Sequence, residues 1–289
     1  MTPKSISFCC VVKNEEKYIH ELVRSIYDFL DGYEDYEIIF VDDFSTDNTV
    51  FLLDEFSKNN KKIKLYKNIV KGKVAGTNLA LKESSKSVIK FIDGDDMLNG
   101  RYDGLTIGDF DCIYHDYLEL SKKRENLKKV GSWLTNNPHI IQKEFRSIPK
   151  AMFFFKSSFI KEYFPIPETL PFEDLWINFI ASEAKEINYV ENTFYTYRQH
   201  EEQFYGSLSN FNSKKRLRMA DRFLNYYYHL QKNSHPFTFE VYPQIKHYAL
   251  SLKRENLTSF IYLIKHPRLF LKSIIFNFSM LTRLLWRKK

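Results

Sequence analysis

Between residues 6 and 93 the chain alternates short apolar runs with stretches whose apolar residues recur every three or four positions. That alternation constrains the fold more than any other feature. Residues 6–12, 37–41, 63–66 and 88–92 read as buried strands, because an uninterrupted apolar run suits a strand covered on both faces. Residues 15–30 place Ile19, Leu22, Val23, Ile26, Phe29 and Leu30 at helical spacing, and 46–57 place Val50, Leu53 and Phe56 likewise. A third helix is expected over 74–83. Strand and helix alternating in this way require a parallel sheet with right-handed crossovers. Ligands of such sheets bind beyond the carboxyl ends of the strands.

Polar clusters stand at those ends. Lys13, Asn14, Glu15 and Glu16 follow the first strand, Asp42 and Asp43 the second, and Asp93, Asp95 and Asp96 the fourth. Three acids within four residues repel one another unless a cation joins them. Hard divalent cations favour carboxylate oxygens and share their coordination with substrate phosphates. An Asp-Gly turn with no metal is the plainer account of the same residues. After the second strand, Ser45, Thr46 or Asp47 can cap the next helix, which leaves Asp42 unaccounted for. A carboxylate there can accept a ligand N–H, such as the imide of a uracil ring.

Beyond residue 100 the pattern loosens. Residues 111–115 and 151–155 read as strands, with a polar, Lys-rich stretch between them. Phe172, Leu175, Trp176, Phe179 and Ile180 form one helical stripe. Residues 187–190 and 193–200 read as a strand pair, and a helix is expected over about 213–231. There is no internal repeat.

At 289 residues, 44% apolar and 27% charged, the composition is that of a globular protein with one large α/β domain and an appendage. The formal charge of +7 is unevenly placed. Residues 241–289 hold ten Lys and Arg against one Glu, whereas the preceding 240 carry 33 bases against 35 acids. A slightly acidic body argues against nucleic acid as partner. Cys9, Cys10 and Cys112 make no metal-ligand pattern, and Cys9 and Cys10 lie in a strand, as in a reduced cytosolic protein. The opening residues are too short an apolar run for a signal peptide, and no stretch reaches the length of a membrane span. From Arg268 onward, Phe270, Ile274, Phe278, Leu281 and Leu285 line one helical face and Arg268, Lys272, Arg283 and Arg287 another. Such a helix either lies in an anionic membrane surface or docks on the body with its cations solvated.

The motifs, taken in order, resemble glycosyltransferase family two. Residues 40–49 (FVDDFSTDNT) are similar to its nucleotide-binding signature and 11–16 (VVKNEE) to its first-strand motif. Residues 72–80 (GKVAGTNLA) resemble its third-helix motif and 91–96 (FIDGDD) its DxD segment. Residues 171–176 (PFEDLW) and 195–200 (YTYRQH) resemble its acid-base motif and the strand that follows. The resemblance, which spans roughly residues 5 to 210, implies a GT-A type α/β fold, a mostly parallel Rossmann-like sheet flanked by helices, and the spacing beyond it adds a C-terminal helical tail. It implies a catalytic domain over 1–210, with a nucleotide-sugar half over about 1–98 and an acceptor half over about 99–210. Residues 211–289 would form a helical region ending in the basic tail.

By the same resemblance, Asp42 binds the nucleotide base with Val12, Asn14 and Glu15 around it, and Asn78 helps hold the nucleotide. Asp93 faces the ribose and metal, and Asp95 ligates a Mn²⁺ or Mg²⁺ ion bridging the diphosphate. Asp174 is the general base, although acids at a helix start also simply complement the helix dipole. Arg198 and His200, two apart on a strand, share a face, from which Arg198 could reach the diphosphate and His200 the metal. An exposed polar strand face is the alternative. Thr77, Lys13 and Phe44 depart from the family, which has Arg, an aromatic residue and Gly at those positions. The activity implied is inverting transfer from a nucleotide-diphosphate sugar, a UDP-sugar by expectation, to a hydroxyl of a bacterial surface glycan: capsule, O-antigen or lipooligosaccharide. The rivals are a polyprenyl-phosphate sugar transferase and a non-catalytic nucleotide-sugar-binding protein. The expected acceptor is a glycan or lipid-linked glycan, and the expected location the cytoplasmic face of the cell membrane, reached through the tail.

Overall fold

The computed structural model describes residues 5–102, 110–121, 149–168, 170, 173–200 and single positions between 217 and 250. The basic tail from residue 268, the polar stretch 122–148 and most of the helix expected over 213–231 lie outside the described residues. The chain divides into two compact units. One comprises Met1–His139, Ser147–Glu168 and Phe172–His200; the other comprises Ile140–Arg146, Thr169–Pro171 and Glu201–Lys289. In the second unit Ala220, Leu224 and Tyr226 are buried.

The first unit opens with β1 (Ile6–Val12), α1 (Ile19–Phe29), β2 (Tyr36–Asp42), α2 (Thr49–Asn59), β3 (Ile63–Lys67), α3 (Lys73–Glu83) and β4 (Val88–Asp93). These are the elements expected from the apolar spacing, and β3, β2, β1 and β4 pair in parallel. The α1 stripe Ile19, Leu22, Val23, Ile26 and Phe29 is fully buried, each side chain contributing about 1.5–3 kcal/mol of burial. Phe29 is the centre of that packing, with the rings of Phe8, Tyr102, Phe154 and Phe194 around it.

The rest completes one eight-stranded sheet in the order β3-β2-β1-β4-β7-β6-β8-β5. It adds β5 (Met97–Leu98), β6 (Cys112–Ser121), a 3-10 turn (Lys150–Met152), β7 (Phe153–Lys156), α4 (Ser157–Lys161), α5 (Asp174–Glu183) and β8 (Ile187–Gln199). Here the structure corrects the sequence reading. The expected pair over 187–200 is one 13-residue strand, which runs parallel to β6 across irregularities at His115, Asp116 and Tyr117. The polar residues Glu191 and Asn192 are exposed on this strand and do not end it. β7 runs antiparallel to both β4 and β6, so the sheet is mixed.

One polar pair sits inside the core. Lys90 is fully buried, its Nζ 2.6 Å from His115 Nε2 and 3.9 Å from the centre of the Phe154 ring. Burial drives Lys90 and His115 both far below their usual values. Lys90 also donates to the Ala151 carbonyl. That bond fixes the 3-10 turn that carries Lys150 to the rim.

Candidate functional site

The register of the parallel strands brings their ends level: Val12 pairs with Asp42 and Val11 with Asp93. Three loops therefore start side by side. The first two are knitted together. Asn14, at φ 58, accepts the Thr46 N–H at 2.8 Å and donates its own N–H to Ser45 Oγ at 3.0 Å. Glu16 accepts both the backbone and side-chain N–H of Asn48, while Asp47 accepts the Thr49 N–H. The start of α2 is thus satisfied by Asp47 and by Glu16 from the neighbouring loop. Asp42 is nearly buried and accepts the Ser45 N–H at 3.1 Å, a local turn bond that leaves its remaining acceptor capacity open. Asp43 donates its N–H to the Val12 carbonyl at 2.8 Å and accepts from Asn68 Nδ2 at 2.9 Å and the Gly72 N–H at 2.7 Å. It ties the loop after β3 to the one after β2.

Phe44 lies at the tip of this knot with φ 62, a left-handed conformation that costs a bulky residue ~1–2 kcal/mol. The residue is 47% exposed.

Gly94 has no room for a side chain. A Cβ there would come within 2.8 Å of Glu15 Cγ and 3.1 Å of Val12 Cγ1. The acidic turn after β4 therefore lies directly against Val12 and Glu15. Burial, and then the charge of Asp95, push the Glu15 carboxyl up to about 8.

The carboxylates of this turn have separate fates. Asp93 is paired with two ammonium groups, Lys73 at 2.8 Å and Lys150. Burial acts to raise Asp93, but the two lysines override it and hold the carboxyl well below the usual range. Lys150 is 3% exposed and reaches Glu173 at 2.9 Å, and Glu173 is itself buried. Asp96 is a buried anchor for β8, accepting from the Tyr195 hydroxyl and from the Arg198 N–H. Asp95 Oδ2 stands 3.0 Å from His200 Nε2, and His200 Nδ1 is buried without a hydrogen-bond partner.

Asp174 opens α5 beside Glu173. Burial pushes it up to about 6, partly offset by Lys150 and reinforced by the charge of Glu173. Among the described residues its carboxylate has no hydrogen-bond partner; only its backbone carbonyl is used, by Asn178. It is open, where Glu173 is locked.

The remaining expected residues are committed elsewhere in this conformation. Arg198 bonds Glu21 at 2.6 Å and the Asp95 carbonyl at 2.8 Å, and stacks over Tyr18, so it joins β8 to α1. Both polar ends of Asn78 bond the backbone of Ile166, at 2.8 and 2.7 Å. Lys150 was not anticipated from sequence. Its only signal there is a lysine abutting the apolar run 151–155, a charge that must be buried and so needs buried partners.

Could these residues hold a divalent cation? Among the described residues no three His, Cys, Asp or Glu side chains gather at one point. Two ligands at right angles and ~2.1 Å from an octahedral ion lie ~3.0 Å apart. The Asp95–His200 pair has that spacing through His200 Nε2. Asp93 Oδ1 already faces two ammonium groups. Asp95 and His200 thus suit half of a shell whose other half comes from phosphate and water.

Residues 7–111 match the family described as Glycosyl transferase family 2. The chain is 33% identical over 87 residues to the poly(ribitol-phosphate) beta-N-acetylglucosaminyltransferase TarS of Staphylococcus aureus, covering 30% of this chain and 15% of that protein. It is 25% identical over 175 residues to the glycosyltransferase GlyG of Streptococcus pneumoniae, covering 51% of this chain and 58% of GlyG. The chain therefore matches well under two thirds of these relatives' lengths. The crystal structure of TarS residues 1–349 with UDP superposes with a TM-score of 0.58 at 19% identity, over 88% of this chain and 73% of that one. The mannosyltransferase PcManGT of Pyrobaculum calidifontis, solved with GDP-Man and Mn²⁺, superposes with a TM-score of 0.59 at 14% identity, over 100% of this chain and 89% of that one. At such identities the likeness shows the fold, which is GT-A.

Proposed function

We propose that this chain, a glycosyltransferase of family 2 type with the GT-A fold, transfers a sugar from a UDP-sugar, with inversion, to a hydroxyl of a bacterial surface-glycan acceptor. The observation that carries the reading is the sorting of carboxylates at the rim: Asp174 is open and raised to about 6, while Glu173 beside it is locked to Lys150. A base of that strength is ionised at neutral pH, yet holds a proton better than an ordinary carboxylate. The base of the nucleotide sits at Asp42, beside Val12, Asn14 and Glu15. Asp174 takes the proton of the acceptor hydroxyl as its oxygen attacks the anomeric carbon, and the bond from that carbon to the β-phosphate oxygen breaks. Lys73, 44% exposed beside Asp93, is the cation we assign to the charge of the departing diphosphate. A divalent cation bound by Asp95 and His200 would supply further neutralisation of that charge. Mn²⁺ in PcManGT supports this cofactor.

The acceptor class rests on the relatives, which include poly(ribitol-phosphate) transferases. Placement at the cytoplasmic membrane face rests on the basic, amphipathic pattern of the tail. No helix among the described residues is long and apolar enough to cross a membrane.

The test has two stages. Nucleotide sugars are screened with Mn²⁺ for a rise in melting temperature, since a ligand of the folded state stabilises it. With the donor found, Asp174→Asn is expected to lower transfer ~10²–10⁴-fold while donor affinity stays close to wild type. Loss of donor binding in a folded Asp174→Asn protein would remove Asp174 from the role of base.

A further inference from the structure

Phe44 is strained. Its backbone is left-handed at φ 62, the residue is 47% exposed, and among the described residues no other aromatic ring stacks on it. The conformation is imposed from both sides. Asp42 holds the Ser45 N–H, Asp43 is bonded to Val12, Asn68 and Gly72, and Ser45 Oγ receives the Asn14 N–H. Gly or Asn would occupy the same turn without strain. Residues kept in sparsely populated conformations gather where a ligand is held. Ile69 and Val70, 87% and 53% exposed, stand on the loop that Asp43 ties to this turn. Asn68, next to Ile69, donates its N–H to the Asp42 carbonyl at 2.9 Å, so an aromatic residue and two aliphatic ones lie on the two loops that flank Asp42.

We propose that Phe44 is a nucleobase-binding residue: its ring stacks on the base of the nucleoside diphosphate that Asp42 receives, with Ile69 and Val70 as an apolar border. This rests on the nucleotide-sugar reading above. A planar base presents a π-face to any ring, and a half-exposed ring on a rigid turn is already ordered before the ligand arrives. The strain is then a feature of the binding site, not of the fold.

The proposal predicts effects of opposite sign in one variant of the full chain. Phe44→Asn relieves the backbone and should raise the melting temperature by about 2–4 °C. The same substitution should weaken UDP binding, measured by calorimetry with Mn²⁺, by ~10-fold. Inorganic pyrophosphate, which has no base, should bind the variant as it binds wild type, and Phe44→Tyr should keep UDP affinity. Unchanged UDP affinity in Phe44→Asn overturns the inference, as does an equal loss for UDP and pyrophosphate. Weaker binding to phosphatidylserine vesicles with UDP affinity intact also overturns it, and assigns the rim to a membrane surface. Asp42→Ala separates the two levels. If it weakens UDP binding while Phe44→Asn does not, the nucleotide reading stands and only the Phe44 inference fails. A wild-type chain that binds no nucleoside diphosphate overturns both.

Discussion

Two pairs of acids meet at the rim, one at the end of β4 and one at the start of α5, and each pair is divided in the same way. Asp93 and Glu173 are locked by Lys73 and Lys150, whereas Asp95 and Asp174 keep acceptor capacity. Adjacent or nearly adjacent carboxylates therefore have opposite electrostatic lives, and two lysines decide which is which. Without them four acids would share one low-dielectric rim, and mutual repulsion would raise all of them together. With them, two acids become scaffold and two remain available. Both lysines reach a locked member of each pair, and Lys150 is central because it is the buried one.

The largest expected effect breaks this division. Lys150→Met leaves Asp93 and Glu173 without their buried cation and should cost roughly 3–5 kcal/mol of stability, read from denaturant unfolding. A loss below ~1 kcal/mol would show that Lys73 alone does the sorting. Glu37 sharpens the comparison, being a locked carboxylate far along β2 from the rim. Burial acts to raise it, but Lys64, Ser7 and Ser85 override burial and bring it to about 2. Its folded value lies below the ordinary 4.5, so its contribution is present above 4.5 and lost as pH falls toward 2. Glu37→Gln should remove that acid-dependent part of stability, on the order of 1–3 kcal/mol, with transfer activity unchanged. A variant that unfolds along the same acid curve as wild type would contradict the assignment. Smallest is the open member of the first pair: Asp95→Ala should weaken the Mn²⁺-dependent part of UDP affinity by about tenfold or more. Undiminished metal dependence would take Asp95 out of the proposed shell.

How much of this could be read in the chain itself differs between the two halves of the sheet. β1 to β4 and α1 to α3 were legible because their signals are local: apolar runs, three- and four-residue spacing, and acids following strands. Asp42, Asp93 and Asp95 were found at strand ends for the same reason. What was not legible depends on partners far along the chain. β5 has two residues and exists because Met97 and Leu98 pair with Thr196 and Tyr195. β8 is one strand because β6 supplies a parallel edge past Glu191 and Asn192. The engagement of Arg198 with Glu21 spans 177 positions, and that of Asn78 with Ile166 spans 88. No spacing rule reports such contacts. Phe44 is a different case. Its departure from glycine stood out in the motif, but only the backbone at φ 62 shows that the departure is strained.

The division of the acids is tested most directly by the pH dependence of kcat/KM, which reports groups of the free enzyme. As the proposed base, Asp174, raised to about 6 by burial, must lose its proton to act. kcat/KM is expected to fall as pH drops through about 6, with no such step in the residual activity of Asp174→Asn. A step that persists in Asp174→Asn, or that lies near the ordinary carboxylate value of 3.8, would contradict it.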